Sequence, residues 1–479
     1  MKMYKVLLLA FLSGMSILGY AQQSDSLMMY LEIAARNNPT VQQKFTEYQA
    51  SLRKVPQAAS LSDPELNMGF LLKPMELLSG NQVAEFQLMQ MFPWFGVLRN
   101  AKDEMSLMAK ANYESFRDAK LQVFFEVQQT WNELYKVKQS IRTSERNLDI
   151  LHTLERLSLV RFKASSPISG STSPSGSPIP SGASNAPSSG GGAGMQTMGG
   201  SSAGSNQNTP AGAASAMPGS SMPSGGGSGL ADLYRIQLEI GELENNISDL
   251  ESLQNTIVAR FNSYLNRPMQ LQVAVPDTLM ADSLNISLKE VADSMLSNNP
   301  MLGMLDYEKQ SLEARKEMVT RMGNPMVGVG INYTLINKNE MSASDMNGKD
   351  MVMPMVKLTL PVFRKKYKAM QEEAELQKTA TAQGWQATAN ALQTEYYEAV
   401  QNYMDAQRRI KLYARQNQLA GRSLNIMMKG YSSGGTALTD LLRIRQQTFD
   451  YALKQVEAVA DFNTATAKLK RLMAYSQIQ

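Results

Sequence analysis

Methionine is the residue with the most distinctive chemistry in this 479-residue chain: there are 33 methionines, one histidine and no cysteine. Thioether sulfur favours soft monovalent copper or silver over harder ions. Five methionines crowd one segment: Met341, Met346, Met351, Met353 and Met355. The last three alternate, which places them on a single face if the segment is a strand. Four more, Met195, Met198, Met217 and Met222, lie in a Ser/Gly/Pro-rich tract. At helical spacing elsewhere, methionine reads as adaptable core filler. Enzymatic chemistry finds little support. His152 stands between Leu151 and Leu154 on a helical stretch, a structural setting rather than a catalytic one. Neither a phosphate-binding G-x-x-x-x-G-K-[ST] loop nor an H-E-x-x-H zinc motif occurs. The carboxylates mostly stand three or four residues from Lys or Arg, the spacing of surface pairs. Without cysteine, disulfides, thiolate metal sites, thiol catalysis and lipidation of an N-terminal Cys are excluded. The reading is a protein that is not an enzyme and needs no cofactor.

The elements that would position these residues occur twice. Residues 26–39 read SLMMYLEIAARNNP and residues 287–300 read SLKEVADSMLSNNP, so Asn38-Pro39 and Asn299-Pro300 recur 261 positions apart. Each copy continues into a polar helical run, a pair of alternating strands, a proline (Pro93, then Pro361) and a helix of more than sixty residues. So long a period is no solenoid unit. It implies two similar halves, here 22–266 and 286–475, joined by a linker over 267–285.

The long helices are expected over residues 100–163 and 366–430, each about 95 Å from end to end. Val127, Leu134, Ile141 and Leu148 step by seven, joined by Val137 and Leu151, and Tyr396, Tyr403 and Ile410 step likewise. That period lays one apolar seam against a partner helix. Two shorter helices in each half sum to the length of one long helix, so each half pairs a continuous helix with a broken one.

Strands are expected over 64–72, 82–91, 325–335 and 351–360. Val327, Val329, Ile331, Tyr333 and Leu335 alternate with Gly328, Gly330, Asn332 and Thr334. Such strands suit either a soluble hairpin on a helical core or a membrane barrel with a wet interior. Four strands cannot close a barrel, and free edges are not tolerated in lipid. A membrane barrel would therefore have to be shared among several chains.

Lys2 and Lys5 precede an apolar run that ends at Gly19-Tyr20-Ala21, the pattern of a secretory signal peptide over 1–21. No later run is long and apolar enough for a membrane-spanning helix. The net charge of +4 is interleaved with acids along the helices, which gives no footing for nucleic acid.

With these features in order, the chain resembles the TolC family of outer-membrane efflux channels. The resemblance rests on the L-x-x-A-x-x-N-N-P-like helix, hairpin, proline and long helix, carried twice. It extends to Tyr431-Ser-Ser-Gly434-Gly-Thr-Ala-Leu-Thr-Asp440-Leu-Leu, which looks like the family's Y-x-x-G…D-x-L turn, and to the closing helix Ala458–Ala474. It implies an α+β membrane channel: a homotrimer with a long α-helical coiled-coil barrel and a transmembrane β-barrel to which each protomer gives four strands. It implies an outer-membrane location in a Gram-negative envelope, with a tunnel across the periplasm to an adaptor and an inner-membrane pump. Substrate passage would be passive. A type I protein-secretion exit channel is an alternative within this fold, and a non-transport periplasmic coiled-coil protein is one outside it.

Residues 165–229 carry no charge and no aromatic and are expected to be a disordered insert. Comparing the halves, about 61 extra residues stand at the first helix–helix turn, with a flexible reach of about 45 Å. In the resemblance that turn is the periplasmic tip. Asp440 matches the first acid of the family's tip pattern and Asp232 is its counterpart, with Arg443 and Arg235 three residues on. These four are candidates for a periplasmic gate, against a simpler role as exposed pairs within one helix. Met351, Met353 and Met355 share the parity of Lys357 and Thr359, the face assigned to the lumen. They point toward the heavy-metal branch of the family, with general drug or metabolite efflux as the alternative and compositional drift as the simpler account of the methionines.

Overall fold

In the computed structural model, residues 26–165 and 228–474 are described, apart from positions 78, 283, 285, 286, 342 and 344. The proposed signal peptide and most of the insert lie outside the described residues. Two compact units divide the chain, Met1–Leu148 with Leu243–Gln479, and Asp149–Glu242. The elements run α1 (Ser26–Asn37), α2 (Pro39–Ala59), β1 (Glu65–Leu77), β2 (Gly80–Phe92), α3 (Val97–Ser165) and α4 (Ser228–Tyr264), then α5 (Leu288–Asn298), α6 (Pro300–Met322), β3 (Met326–Asn337), β4 (Met351–Thr359), α7 (Arg364–Ser432) and α8 (Leu438–Leu472). Ser165, Ser228 and Gly229, read from composition as part of the insert, belong instead to helix ends.

The Asn-Pro repeat breaks the same helix twice for the same reason. A residue before proline is driven out of the helical region, and Asn38 (φ −63°, ψ 125°) and Asn299 (φ −66°, ψ 126°) are both extended. Each asparagine then caps the helix that begins at its proline. Asn38 Oδ1 accepts from the backbone N–H of Thr40 and Val41, and Asn299 Oδ1 accepts from Met301. Each also donates from Nδ2 to the last turn of the partner helix, Asn38 to Tyr264 O at 2.8 Å and Asn299 to Leu472 O at 3.5 Å. One side chain thus caps a helix start and satisfies a carbonyl at another helix's end, both of which otherwise lack partners. Ser287 and Glu290 add a reciprocal capping box at α5.

In the larger unit, Val127 and Leu134 of α3 are fully buried with Ile257, Phe261 and Leu265. In α7 the heptad holds, but its deepest positions are Leu392, Ala399 and Ala406 rather than Tyr396, Tyr403 and Ile410. Alanines at the seam let two backbones approach closely, and the tyrosines flank it. Tyr396 Oη donates to Leu288 O at 2.8 Å, and Tyr403 stacks on Phe462 with ring centroids 4.7 Å apart. The segment between α4 and α5 is laced to both halves. Tyr30 and Tyr135 hydroxyls accept from the N–H of Ala274 and Leu279, and Asn463 Oδ1 accepts from Asp282 N–H. In the smaller unit, Leu151, Leu154, Ile236 and Ile240 are buried, and Gln237 donates to Glu155 at 2.9 Å. His152 is half-exposed, with Nδ1 3.5 Å from Glu155, beside the fully buried Leu151 and Leu154.

Candidate transport surface

The four strands form one antiparallel sheet in the order β1-β2-β3-β4, with β2 and β3 joining the two halves. Among the described residues, outer strands β1 and β4 each pair on one side only, and each contains a proline (Pro74, Pro354) that an edge tolerates. Register places Leu66, Leu88, Ile331 and Pro354 in one cross-strand row and Met68, Phe86, Tyr333 and Val352 in the next. This face is apolar and open: Ile331 is 54% exposed, Val356 78% and Phe70 69%. The opposite face carries Glu65, Asn67, Glu85, Gln87, Asn332, Thr334, Lys357 and Thr359. On it Asn332 and Thr334 are buried, and Asn332 Nδ2 donates to Glu85. A soluble half-buried sheet has its apolar face covered. Here the centre of the sheet reverses that arrangement, with the apolar side open and Asn332 and Thr334 buried.

At the strand–helix junctions the apolar surface becomes aromatic. Phe92, Pro93, Trp94, Phe95 and Leu98 surround a cleft of about 490 Å³ closed by Leu61, Pro325 and Val327. Val362 and Phe363, just after Pro361, are exposed as well. Gly96 turns the chain here at φ +88°, and a Cβ on it would meet the Arg321 guanidinium at 2.9 Å. Both prolines thus stand where a strand ends and a long helix is about to begin. Their fixed φ and missing N–H end the ladder. Bands of aromatic residues at the ends of an apolar belt are where such side chains meet a membrane–water interface.

The two tip candidates differ. Asp440 lies in the first turn of α8, whose preceding residue Ala437 supplies no side-chain cap. Its carboxylate faces the positive helix end and pairs with Arg443 at 2.9 Å, the arginine being 73% exposed. The turn before it uses Gly434 at φ +85°, and Gly435 N–H returns to Gly430 O at 2.8 Å. Asp232 is half-buried: burial raises its pKa, while the positive charges of Arg161 and Arg235 pull it down. Arg161 belongs to the facing segment of α3, so this half adds a cross-helix interaction that spacing within α4 did not signal.

Met351, Met353 and Met355 fall on the polar face of β4, opposite Thr334, Asn332 and Gly330. Two methionines of β2 share that face: Met89, which alternation already sets with Glu85 and Gln87, and Met91, and they lie opposite Gly330 and Gly328. The glycines facing them needed the register. Among the described residues no group of three or more His, Cys, Asp or Glu side chains is placed to hold a metal.

No protein-family model matches the sequence, and no curated protein matches it. Solved structures do. The chain superposes on the outer membrane protein VceC from Vibrio cholerae with a TM-score of 0.67 at 12% identity, covering 94% of this chain and 96% of that one. The Campylobacter jejuni CmeC outer membrane channel gives 0.67 at 11% identity, over 94% and 86%. The Neisseria gonorrhoeae MtrE outer membrane channel, in its open state, gives 0.66 at 12% identity, over 94% and 88%. The fold is that of outer-membrane channels of this kind, as the sequence resemblance implied.

Proposed function

We propose that this chain, with the fold of solved outer-membrane channels, is itself an outer-membrane efflux duct. The sheet carries that reading: its apolar face is open, Asn332 and Thr334 at the centre of its polar face are buried, and among the described residues both edges lack a partner. Lipid against the apolar face and water against the polar one resolve the reversal. Pairing of β1 with β4 of neighbouring copies resolves the edges. Three copies would supply about twelve strands, within the range of bacterial barrels. Under this reading α3 and α7, with their broken partner helices, form the wall of a tunnel on the periplasmic side. Transport is passive, and an inner-membrane pump joined through a periplasmic adaptor supplies the energy.

Two finer assignments belong to the same proposal. Asp440–Arg443 and Asp232–Arg235, in three copies each, hold the periplasmic end shut until the partner engages. The cargo class is soft heavy-metal cations, on the strength of Met351, Met353 and Met355 along the lumen face. The assembly is tested by membrane fractionation and bilayer conductance. A heat-resistant trimer in the outer-membrane fraction that conducts K⁺ is expected, and soluble periplasmic material overturns the reading. Cysteine labelling sharpens it, because the chain has no native cysteine. A membrane-impermeant thiol reagent should label Asn332→Cys and spare Ile331→Cys. Equal labelling contradicts the barrel.

A further inference from the structure

The polar face of the sheet holds an arrangement that a water-filled wall does not require. Two glycines, Gly328 and Gly330, alternate along β3, and a thioether from β2 rests on each. A Cβ on Gly330 would lie 3.1 Å from both Sδ and Cε of Met89, and a Cβ on Gly328 would lie 2.5 Å from Sδ of Met91. Glycine weakens a strand interior and marks close approach. At Gly328 what approaches first is the Met91 sulfur, and at Gly330 the Leu88 carbonyl oxygen at 2.7 Å and then the Met89 thioether. Across Gly330, on the far side from Met89, stands Met355 of β4. The two methionine backbones are two strand spacings apart, about 10 Å, a gap that two unbranched side chains can bridge only if nothing rises between them. Gly330 keeps that space clear.

We propose that Met89 and Met355 form a thioether site for one soft monovalent cation, Cu(I) or Ag(I), over Gly330, with Met91 as a neighbouring sulfur. The site rests on the reading that the polar face lines the duct. Thioethers are neutral, polarisable and unprotonated, so they suit a large monovalent d¹⁰ ion and bind Na⁺, Mg²⁺ and Ca²⁺ poorly. Carboxylates complete the setting. Glu65 lies opposite Met89 on β1, and Glu85 lies on the same face. Asn332, next to Gly330 on the face, is 7% exposed and its Oδ1 accepts no hydrogen bond. It stands in register with Met353. Acidic groups bring a cation to the wall, and sulfur retains it long enough to select it.

The test uses the purified full-length protein in detergent, titrated with Cu(I) against a chromogenic Cu(I) chelator. Wild type should hold one tight equivalent per chain, with affinity flat between pH 6 and 8 because a thioether has no proton to lose. Met89→Leu with Met355→Leu keeps apolar volume but removes both sulfurs, and should weaken that equivalent at least tenfold. Met280→Leu with Met341→Leu, at exposed positions outside the sheet, should leave it unchanged. ¹³C-methyl methionine spectra should show the signals lost in Met89→Leu and Met355→Leu shifting with the first equivalent. Cu(I) held as tightly by the Met89/Met355 double variant as by wild type overturns the proposal. K⁺ conductance is read separately: a wild type that binds Cu(I) tightly but forms no channel supports the site and overturns the duct.

Discussion

The helical body and the sheet handle apolar side chains in opposite ways. In the larger unit the seam of α3 is covered by the chain itself, with Val127, Leu134 and Phe261 essentially without solvent contact. In the sheet Leu66, Phe70, Ile331 and Val356 are open while Asn332 and Thr334 are buried. The hydrophobic effect acts on both regions, so the difference lies in what covers them. The helices are completed largely by their own chain. Under the proposed duct, lipid and further copies complete the sheet, which its own chain leaves open.

The sharpest way to break that comparison is to charge the open face. Ile331→Arg would cost about 2–4 kcal/mol at each copy in a bilayer, and up to three times that in a trimer. Membrane-inserted trimer should be lost while far-UV helicity is kept. A stable, membrane-inserted Ile331→Arg protein would show that the face meets water. Next in size is a cavity in the body. Leu134→Ala is expected to cost about 2–5 kcal/mol, read as a fall in Tm in detergent, and Ile331→Ala should cost far less there.

A smaller effect tests the joint between the paired helices. Asn38→Ala removes a cap and the tie to Tyr264 O together, for about 1–2 kcal/mol. Asn299→Ala should cost less, its tie to Leu472 being longer at 3.5 Å. Equal losses would mean that capping alone matters. The smallest effect concerns a carboxylate that the body half-buries. Burial raises the pKa of Asp118, Arg471 opposes the rise, and Glu395 adds to it. The folded chain therefore holds this proton more tightly than the unfolded one, and stability falls as pH climbs from the ordinary carboxylate range, about 3.9, through the raised folded value. Asp118→Asn should remove that fall, raising Tm at neutral pH with a difference that fades on acidification. A difference that grows on acidification would reverse the sign of the argument.

Local physics determined much of this molecule before any packing is considered. Asn-Pro breaks a helix and caps the next one because proline dictates its predecessor's backbone and asparagine can reach two N–H groups. Alternation set the faces of β3 and β4, and the seven-residue step set the seam of α3, because periods of two and three and a half are properties of backbone geometry. Duplication of these signals made the two-part architecture legible. The tertiary structure alone decided the rest. Alanines rather than tyrosines occupy the centre of the α7 seam because close helix approach rewards small side chains, which no propensity announces. Asp232 gains Arg161 from another helix, and the segment after α4 is held by tyrosine hydroxyls more than a hundred residues away. Alternation could set Met89 on the polar face, but only the register set it and Met91 against two glycines. Sequence spacing reports neighbours within one element. Which residues meet across two elements is settled by how those elements pack.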